Sequence, residues 1–261
     1  MKIALMDSGL GLLPAAAAVR RLRPDADLVL SWDPDGMPWG PRTPEDITAR
    51  ALAVAEAAAA HRPDVLIVAC NTASVHSLPA LRARFEPDLP VIGTVPAIKP
   101  AAAGGGPVAI WATPATTGSA YQRGLIRDFA DGVTVAEVPC PGLADAVHHA
   151  DGPAVDAAVA AAAALTPEDV TTVVLGCTNY ELVAEPIRTA LQRPGHAPLI
   201  LHGTAGAVAA QALRRLGETA APDAPAVGGL TVLLSGREGV LPAEALTYPE
   251  GRLLQAVSPA R

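Results

Sequence analysis

The chain has 261 residues, half of them hydrophobic and only 3% aromatic, so Ala, Val and Leu must fill a sizeable core. A net charge of −7 with no basic run argues against a nucleic-acid surface, and no apolar stretch of about 20 residues is present to span a membrane. Three cysteines cannot all pair, and the opening run reads as a strand rather than a signal peptide, so reduced thiols in a cytoplasmic protein are expected. Only Lys2 and Lys99 among the 19 basic residues are lysines, which limits Schiff-base chemistry.

Strand and helix patterns alternate almost from end to end, which favours parallel sheets covered by helices. A strand at about 2–7 leads through a Gly-containing turn to a helix near 13–23. A second strand, near 27–32, precedes the loop from Asp33 to Arg42. Thr43 then caps a helix, with Pro44 in its first turn and Glu45 and Asp46 facing the positive end of its dipole. That helix runs to about Ala60. An apolar strand ending at Cys70 follows, then a helix near 75–84 and a short strand at Val91-Ile92. The second half repeats the plan, with strands near 107–112, 133–138 and 171–176. Thr166-Pro-Glu-Asp169 repeats the cap sequence but reads as a turn, because the next strand starts two residues later. Asp223 to Gly229 reads as a linker before a last strand, Leu230–Leu234, and a short helix near 242–248.

Two stretches are copies of one design. Asp64 to Thr72 is an apolar run ending in Cys70-Asn71-Thr72, and Asp169 to Asn179 is a second ending in Cys177-Thr178-Asn179. The strands that open the halves match too, one closing on Asp7-Ser8 and the other on Thr113. Asp7 and Cys70 are 63 positions apart, Thr113 and Cys177 64. Ligands of open parallel sheets bind beyond the carboxyl ends of the strands, where all these residues fall, so one crevice is expected to collect them. Residues 71–72 and 178–179 are expected just before helices, whose free N–H groups suit carboxylates. The same dipoles are expected to lower the thiol pKa of both cysteines, so either can act as a thiolate near neutral pH. Two monoprotic groups on opposite faces of a Cα–H bond can remove one proton and return another.

Other residues read more plainly. Cys140 reads as a small buried hydrophobe. His148-His149 lacks the spacing of a metal site, and no metal is expected. Gly9-Leu-Gly11 is an incomplete dinucleotide fingerprint. Lys99, ahead of Pro100, reads as a turn residue rather than a pyridoxal anchor.

With these motifs in hand, the chain resembles the glutamate racemases of the aspartate/glutamate racemase superfamily. Asp7-Ser8-Gly9-Leu-Gly11 is similar to the family's Asp-Ser-Gly-x-Gly-Gly, with Leu12 for the last Gly. Pro38-Trp39-Gly40-Pro41-Arg42 is similar to its Pro-Tyr-Gly-x-Arg, with Trp for Tyr. Cys70-Asn71-Thr72-Ala73-Ser74 and the run from Gly93 to Ala101 match in full. Thr113-Pro-Ala-Thr116, Leu175-Gly-Cys177-Thr178 and Ser235-Gly236 fit in order. The resemblance implies a racemase that interconverts L- and D-glutamate for peptidoglycan without a cofactor. Cys70 and Cys177 would be the acid/base pair, with Asp7 assisting Cys70. Ser8, Pro38, Trp39, Gly40, Asn71, Thr72, Thr116 and Thr178 would bind substrate, residues 38–40 mainly through backbone groups. It implies two similar Rossmann-like, flavodoxin-like α/β domains related by a pseudo-twofold, with the active site in the cleft between them. The boundaries expected are 1–97 plus 208–261 for one domain and 98–207 for the other, and the assembly expected is a homodimer.

Two positions depart from that pattern. Asn179 stands where the family has His, and aspartate-acting relatives tend to have an acid there. The family's Glu eight residues after a Cys-Pro falls here on His148, a substitute for the imidazole missing at 179. Two alternatives follow: a racemase or epimerase of another acidic substrate such as aspartate, or a non-catalytic binding or regulatory paralogue. The intact Cys70 and Cys177 favour catalysis.

Overall fold

Lys2–Asp7 forms β1, and every side chain from Ile3 onward is buried. A strand covered on both faces has no solvent side, which is why it is a continuous apolar run. The structure, a computed structural model, describes residues 1–193, 195 and 198–256. The chain divides into two units, Met1–Val95 with Ala205–Arg261, and Pro96–Thr204.

In the first unit β1 is followed by α1 (Leu13–Leu22), β2 (Asp27–Trp32), α2 (Pro44–Ala59), β3 (Val65–Val68), α3 (Asn71–Phe85) and β4 (Val91–Gly93). Thr43 caps α2 through its hydroxyl, which accepts the Asp46 N–H at 3.3 Å. Ile47, Ala51, Val54, Ala55 and Ala58 form the buried stripe of α2 and share a core with Met6, Val29 and Val68.

The second unit contains α4 (Ile98–Ala102), β5 (Val108–Ala112), α5 (Ala120–Phe129), β6 (Val135–Pro139), α6 (Leu143–His148), α7 (Gly152–Leu165), β7 (Thr172–Leu175), α8 (Ala184–Leu191) and β8 (Ile200–His202). The chain then re-enters the first unit as α9 (Ala205–Arg215), β9 (Leu230–Leu234), β10 (Arg237–Gly239), α10 (Ala243–Leu246) and α11 (Pro249–Ala256).

The two sheets repeat one topology. Strand order is β2-β1-β3-β4 in the first and β6-β5-β7-β8 in the second, with every neighbour parallel. The first sheet is extended by β9, parallel to β2, and by β10, antiparallel to β9. The antiparallel edge strand β10 is an addition to the expected parallel sheets. Ser235 and Gly236 both take positive φ, 45° and 79°, the conformation of a two-residue hairpin turn, and it reverses the chain at once.

Other departures are local. α3 begins at Asn71, four residues earlier than expected, because Cys70 itself is the cap residue. The C-terminal helix is two helices, α10 and α11. Lys99 lies in α4 rather than in a turn, and it is exposed. No described helix is long and apolar enough to cross a membrane.

Candidate active site

In the first unit the ends of β1 and β3 bring Asp7 and Cys70 together. Both are nearly inaccessible, at 2% and 5% exposure. The Ser8 N–H donates to Asp7 Oδ1 at 2.5 Å, and the Ser8 hydroxyl donates to the same oxygen at 3.2 Å. Ser8 Oγ lies 4.0 Å from Cys70 Sγ. The Cys70 thiol and the Asp7 carboxyl are themselves hydrogen-bonded, and the Ala73 N–H, one of the donors that a helix start leaves open, reaches the Cys70 sulfur.

The electrostatics overturn one expectation. The dipole of α3 does not leave Cys70 a ready thiolate. Burial, then the charge of Asp7, push its thiol well above the usual value, and the N–H groups of Ala73 and Ser8 only partly oppose them. Burial also raises Asp7, from 3.8 to about 6, against the hydrogen bonds from Cys70 and Ser8. Near neutral pH the resting pair is therefore a thiol beside a carboxylate.

The second unit mirrors this backbone. Cys70 has φ −131°, ψ 121°, and Cys177 has φ −132°, ψ 134°; each ends a central strand and caps the next turn. The residue before each cysteine donates to the neighbouring central strand: Ala69 N–H to Met6 O at 2.9 Å, Gly176 N–H to Trp111 O at 2.7 Å. A Cβ at 176 would lie 2.8 Å from Trp111 O, so only glycine fits that approach. The repeat diverges after Cys177. Residues 178–183 form a 3-10 turn before α8, not an α-helix, so the expected second helix start is absent there.

Around Cys177, Thr178 is buried and Asn179 half-buried. Asn179 Nδ2 donates to Ala144 O of α6 at 3.3 Å. His148 ends α6, half-buried, with its ring 5.1 Å from the ring of His149, and α6 packs on the 178–183 turn. Cys140 is buried, and desolvation, then the charge of Cys177, push its thiol up to about 12, which suits a packing residue. Thr116 Oγ1 lies 3.2 Å from Thr113 Oγ1 in the turn after β5, and Glu137 holds the end of that turn by accepting from Gly118 N–H and Gln122 Nε2 at 2.8 and 2.9 Å.

The remaining candidates sit in the first unit. Asn71 and Thr72 open α3, the former buried, the latter half-buried. Pro38 is exposed, Gly40 half-buried and Trp39 buried. The Trp39 ring lies in the core with Met6 and Val29, so Trp39 itself can offer a ligand only its peptide groups. Its indole N–H donates to Asp33 Oδ2 at 3.1 Å. Hydrogen bonds from Ser235, Trp39 and Arg50 outweigh the burial of Asp33 and hold its carboxyl below the usual value. Among the described residues no group of three or more His, Cys, Asp and Glu is arranged to hold a metal.

Sequence reasoning missed Asp33, Ser74 and Glu137 as organisers. The Ser74 hydroxyl bonds Thr94 Oγ1 at 3.1 Å and accepts the Thr94 N–H at 2.9 Å, which ties α3 to the segment after β4. Asp33 carried a usable signal: it follows β2, the strand beside β1, at the carboxyl end where ligand loops start.

The model of the Asp/Glu/Hydantoin racemase family matches residues 14–211. The glutamate racemase of Roseiflexus sp. (strain RS-1) is 38% identical over 191 residues, 71% of this chain and 70% of that one. That of Granulibacter bethesdensis is 38% identical over 230 residues, 85% and 81% of the two chains. Among solved structures, Escherichia coli glutamate racemase in complex with L-glutamate and the activator UDP-MurNAc-Ala superposes with a TM-score of 0.77, at 27% identity, over 98% of this chain and 95% of that one. With two thiol-ended strands in one repeated topology and a family match over most of its length, the chain belongs to the Asp/Glu/Hydantoin racemase family.

Proposed function

We propose that the protein is a glutamate racemase that moves the Cα proton with two cysteines and no cofactor. The observation that carries this reading is the repeated setting of Cys70 and Cys177, two thiols with one backbone conformation at the ends of equivalent strands. The names of the relatives support glutamate as substrate.

Cys70 serves one face of Cα and Cys177 the other. On the Cys70 side, Asp7 takes the thiol proton as substrate binds, and the thiolate removes the Cα proton. The Cys177 thiol then delivers its proton to the opposite face. The Cα–H bond broken and the Cα–H bond formed balance. At the end Cys70 is a thiol again, Cys177 is a thiolate and Asp7 still holds the proton it took; exchange with water returns a proton to Cys177 and removes the one on Asp7, or turnover in the other direction restores both. Ser8, Asn71, Thr72, Thr116, Thr178 and the peptide groups of Pro38, Trp39 and Gly40 hold the ammonium and the two carboxylates. The open N–H groups at the start of α3 support the placement of one carboxylate there.

His148 supplies the imidazole on the Cys177 side, because neutral Asn179 cannot exchange a proton near pH 7. Support comes from α6, which packs on the turn after Cys177 and receives the Asn179 amide at Ala144. The product would feed peptidoglycan synthesis. The reading places the protein in the cytoplasm, and the net charge of −7 disfavours a nucleic-acid partner.

A coupled assay with L- and D-glutamate and with L- and D-aspartate tests the reading. It predicts turnover of both glutamate enantiomers. Turnover of aspartate alone would move the substrate, and no turnover of either would remove the activity.

A further inference from the structure

The Asp33 carboxylate is fully engaged. Oδ1 accepts from the Gly36 N–H at 3.1 Å and from the Ser235 hydroxyl at 2.8 Å; Oδ2 accepts from Trp39 Nε1 and from Arg50 Nη1, both at 3.1 Å. Two donors on each oxygen use the acceptor capacity of a carboxylate. The donors come from three places: the loop itself, α2, and the β9–β10 turn about 200 residues later in the chain.

The rest of the loop is pinned around this centre. Arg42 Nε donates to Gly36 O at 2.8 Å, the Arg42 N–H donates to Trp39 O at 3.1 Å, and the Arg42 guanidinium pairs with Asp46 at 2.6 Å. Ser235 also accepts the Asp35 N–H at 3.2 Å. A methyl group at Gly36 would overlap both the Asp33 carboxylate and the Arg50 guanidinium, so an alanine there must displace them. The peptide groups of Pro38 to Gly40 are thus suspended between fixed points at 36, 39 and 42. None of these bonds touches Asp7 or Cys70.

We propose that Asp33 is the positioning residue of the 38–40 loop, and that the C-terminal hairpin, through Ser235, helps set the affinity for the amino-acid substrate. The inference rests on the functional reading above, in which residues 38–40 bind glutamate. Asp33 orients peptide donors and acceptors that meet the substrate equally in ground and transition states. Its loss therefore weakens binding and leaves proton transfer nearly untouched.

Racemisation kinetics of the wild type, Asp33→Asn, Gly36→Ala and Ser235→Ala, with ¹⁵N spectra of the indole N–H groups of Trp32, Trp39 and Trp111, test this. Asp33→Asn should raise KM about tenfold and Ser235→Ala about threefold, the scale of one disturbed hydrogen bond. In each, kcat should stay within about twofold. Gly36→Ala, which leaves every charge in place, should raise KM like Asp33→Asn. The Trp39 indole signal should move in Asp33→Asn while that of Trp111 stays. A fall in kcat at unchanged KM would overturn the proposal, as would a moved Trp39 signal with both constants unchanged. Ser235→Ala removes a single donor from a half-buried position and keeps the test decisive if Asp33→Asn does not fold. A wild type that racemises no glutamate would refute the functional reading itself, and this is seen before any variant is compared.

Discussion

Asp7 should make the protein less stable than it would be with a neutral residue at that position. Its carboxyl rises from 3.8 to about 6 on folding. For an acid with a raised folded pKa the sign is unfavourable. The unfolded chain ionises first, so a penalty builds between pH 3.8 and about 6 and is constant above that. A rise from 3.8 to about 6 corresponds to about 3 kcal/mol, at about 1.4 kcal/mol for each tenfold change in acidity. Asp7→Asn removes the charge and keeps an acceptor for the Ser8 N–H. It also weakens the hydrogen bond with the Cys70 thiol, which costs about 1 kcal/mol. The net gain is then about 2 kcal/mol at pH 8, or about 4–8 °C in Tm for a chain of this size. Near pH 4 the gain should vanish. Urea and thermal unfolding of both proteins from pH 4 to pH 8 measure the difference, and racemisation by the variant should fall sharply over the same range. An Asp7→Asn protein less stable than wild type at pH 8, or a stability gap that does not change with pH, would refute the reasoning.

Cys70→Ser and Cys177→Ser should each lose most racemisation, because an alcohol is a far poorer base than a thiolate; kcat/KM for both enantiomers reads this directly. The acid limb of kcat/KM should carry an apparent pKa near 6 from Asp7 and disappear in Asp7→Asn. His148→Ala should alter the pH–rate profile and lower kcat/KM equally in both directions, since the enantiomers have an equilibrium constant of one. An unchanged profile, with Asn179→His raising activity, would mark Asn179 as an uncompensated loss. Activity should survive dialysis against a chelator and need no added pyridoxal phosphate, whereas thiol alkylation should abolish it and glutamate should protect.

Local chemistry was legible in the sequence where neighbours along the chain decide the outcome. The thiol-ended apolar runs, the Thr43-Pro44 helix start and the Leu230–Leu234 strand all carry their signals within a few residues. The start of α3 was harder to read. Asn71 and Thr72 resemble a turn, and it is the extended Cys70, with its carbonyl bonded to the Ser74 N–H, that makes them a first helical turn. The protonation of Cys70 was not legible at all. The helix dipole is a local signal, whereas the burial and the neighbouring Asp7 that outweigh it exist only once β1 and β3 pair. Asp33 belongs to the same class, since one of its four donors, Ser235, lies 202 positions away. The edge strand β10 carries three exposed residues, Arg237, Glu238 and Gly239, and so has no apolar pattern to betray it.

The two-base assignment is tested most directly by racemisation in heavy water. Starting from protiated L-glutamate or D-glutamate, each product molecule formed in the first turnover should carry deuterium at Cα, while the remaining substrate stays protiated. The same should hold in both directions, because the proton removed by one cysteine is not the one delivered by the other. A product that retains the original Cα hydrogen, or early deuterium in unreacted substrate at a rate matching racemisation, would contradict two separate bases and point to a single group serving both faces.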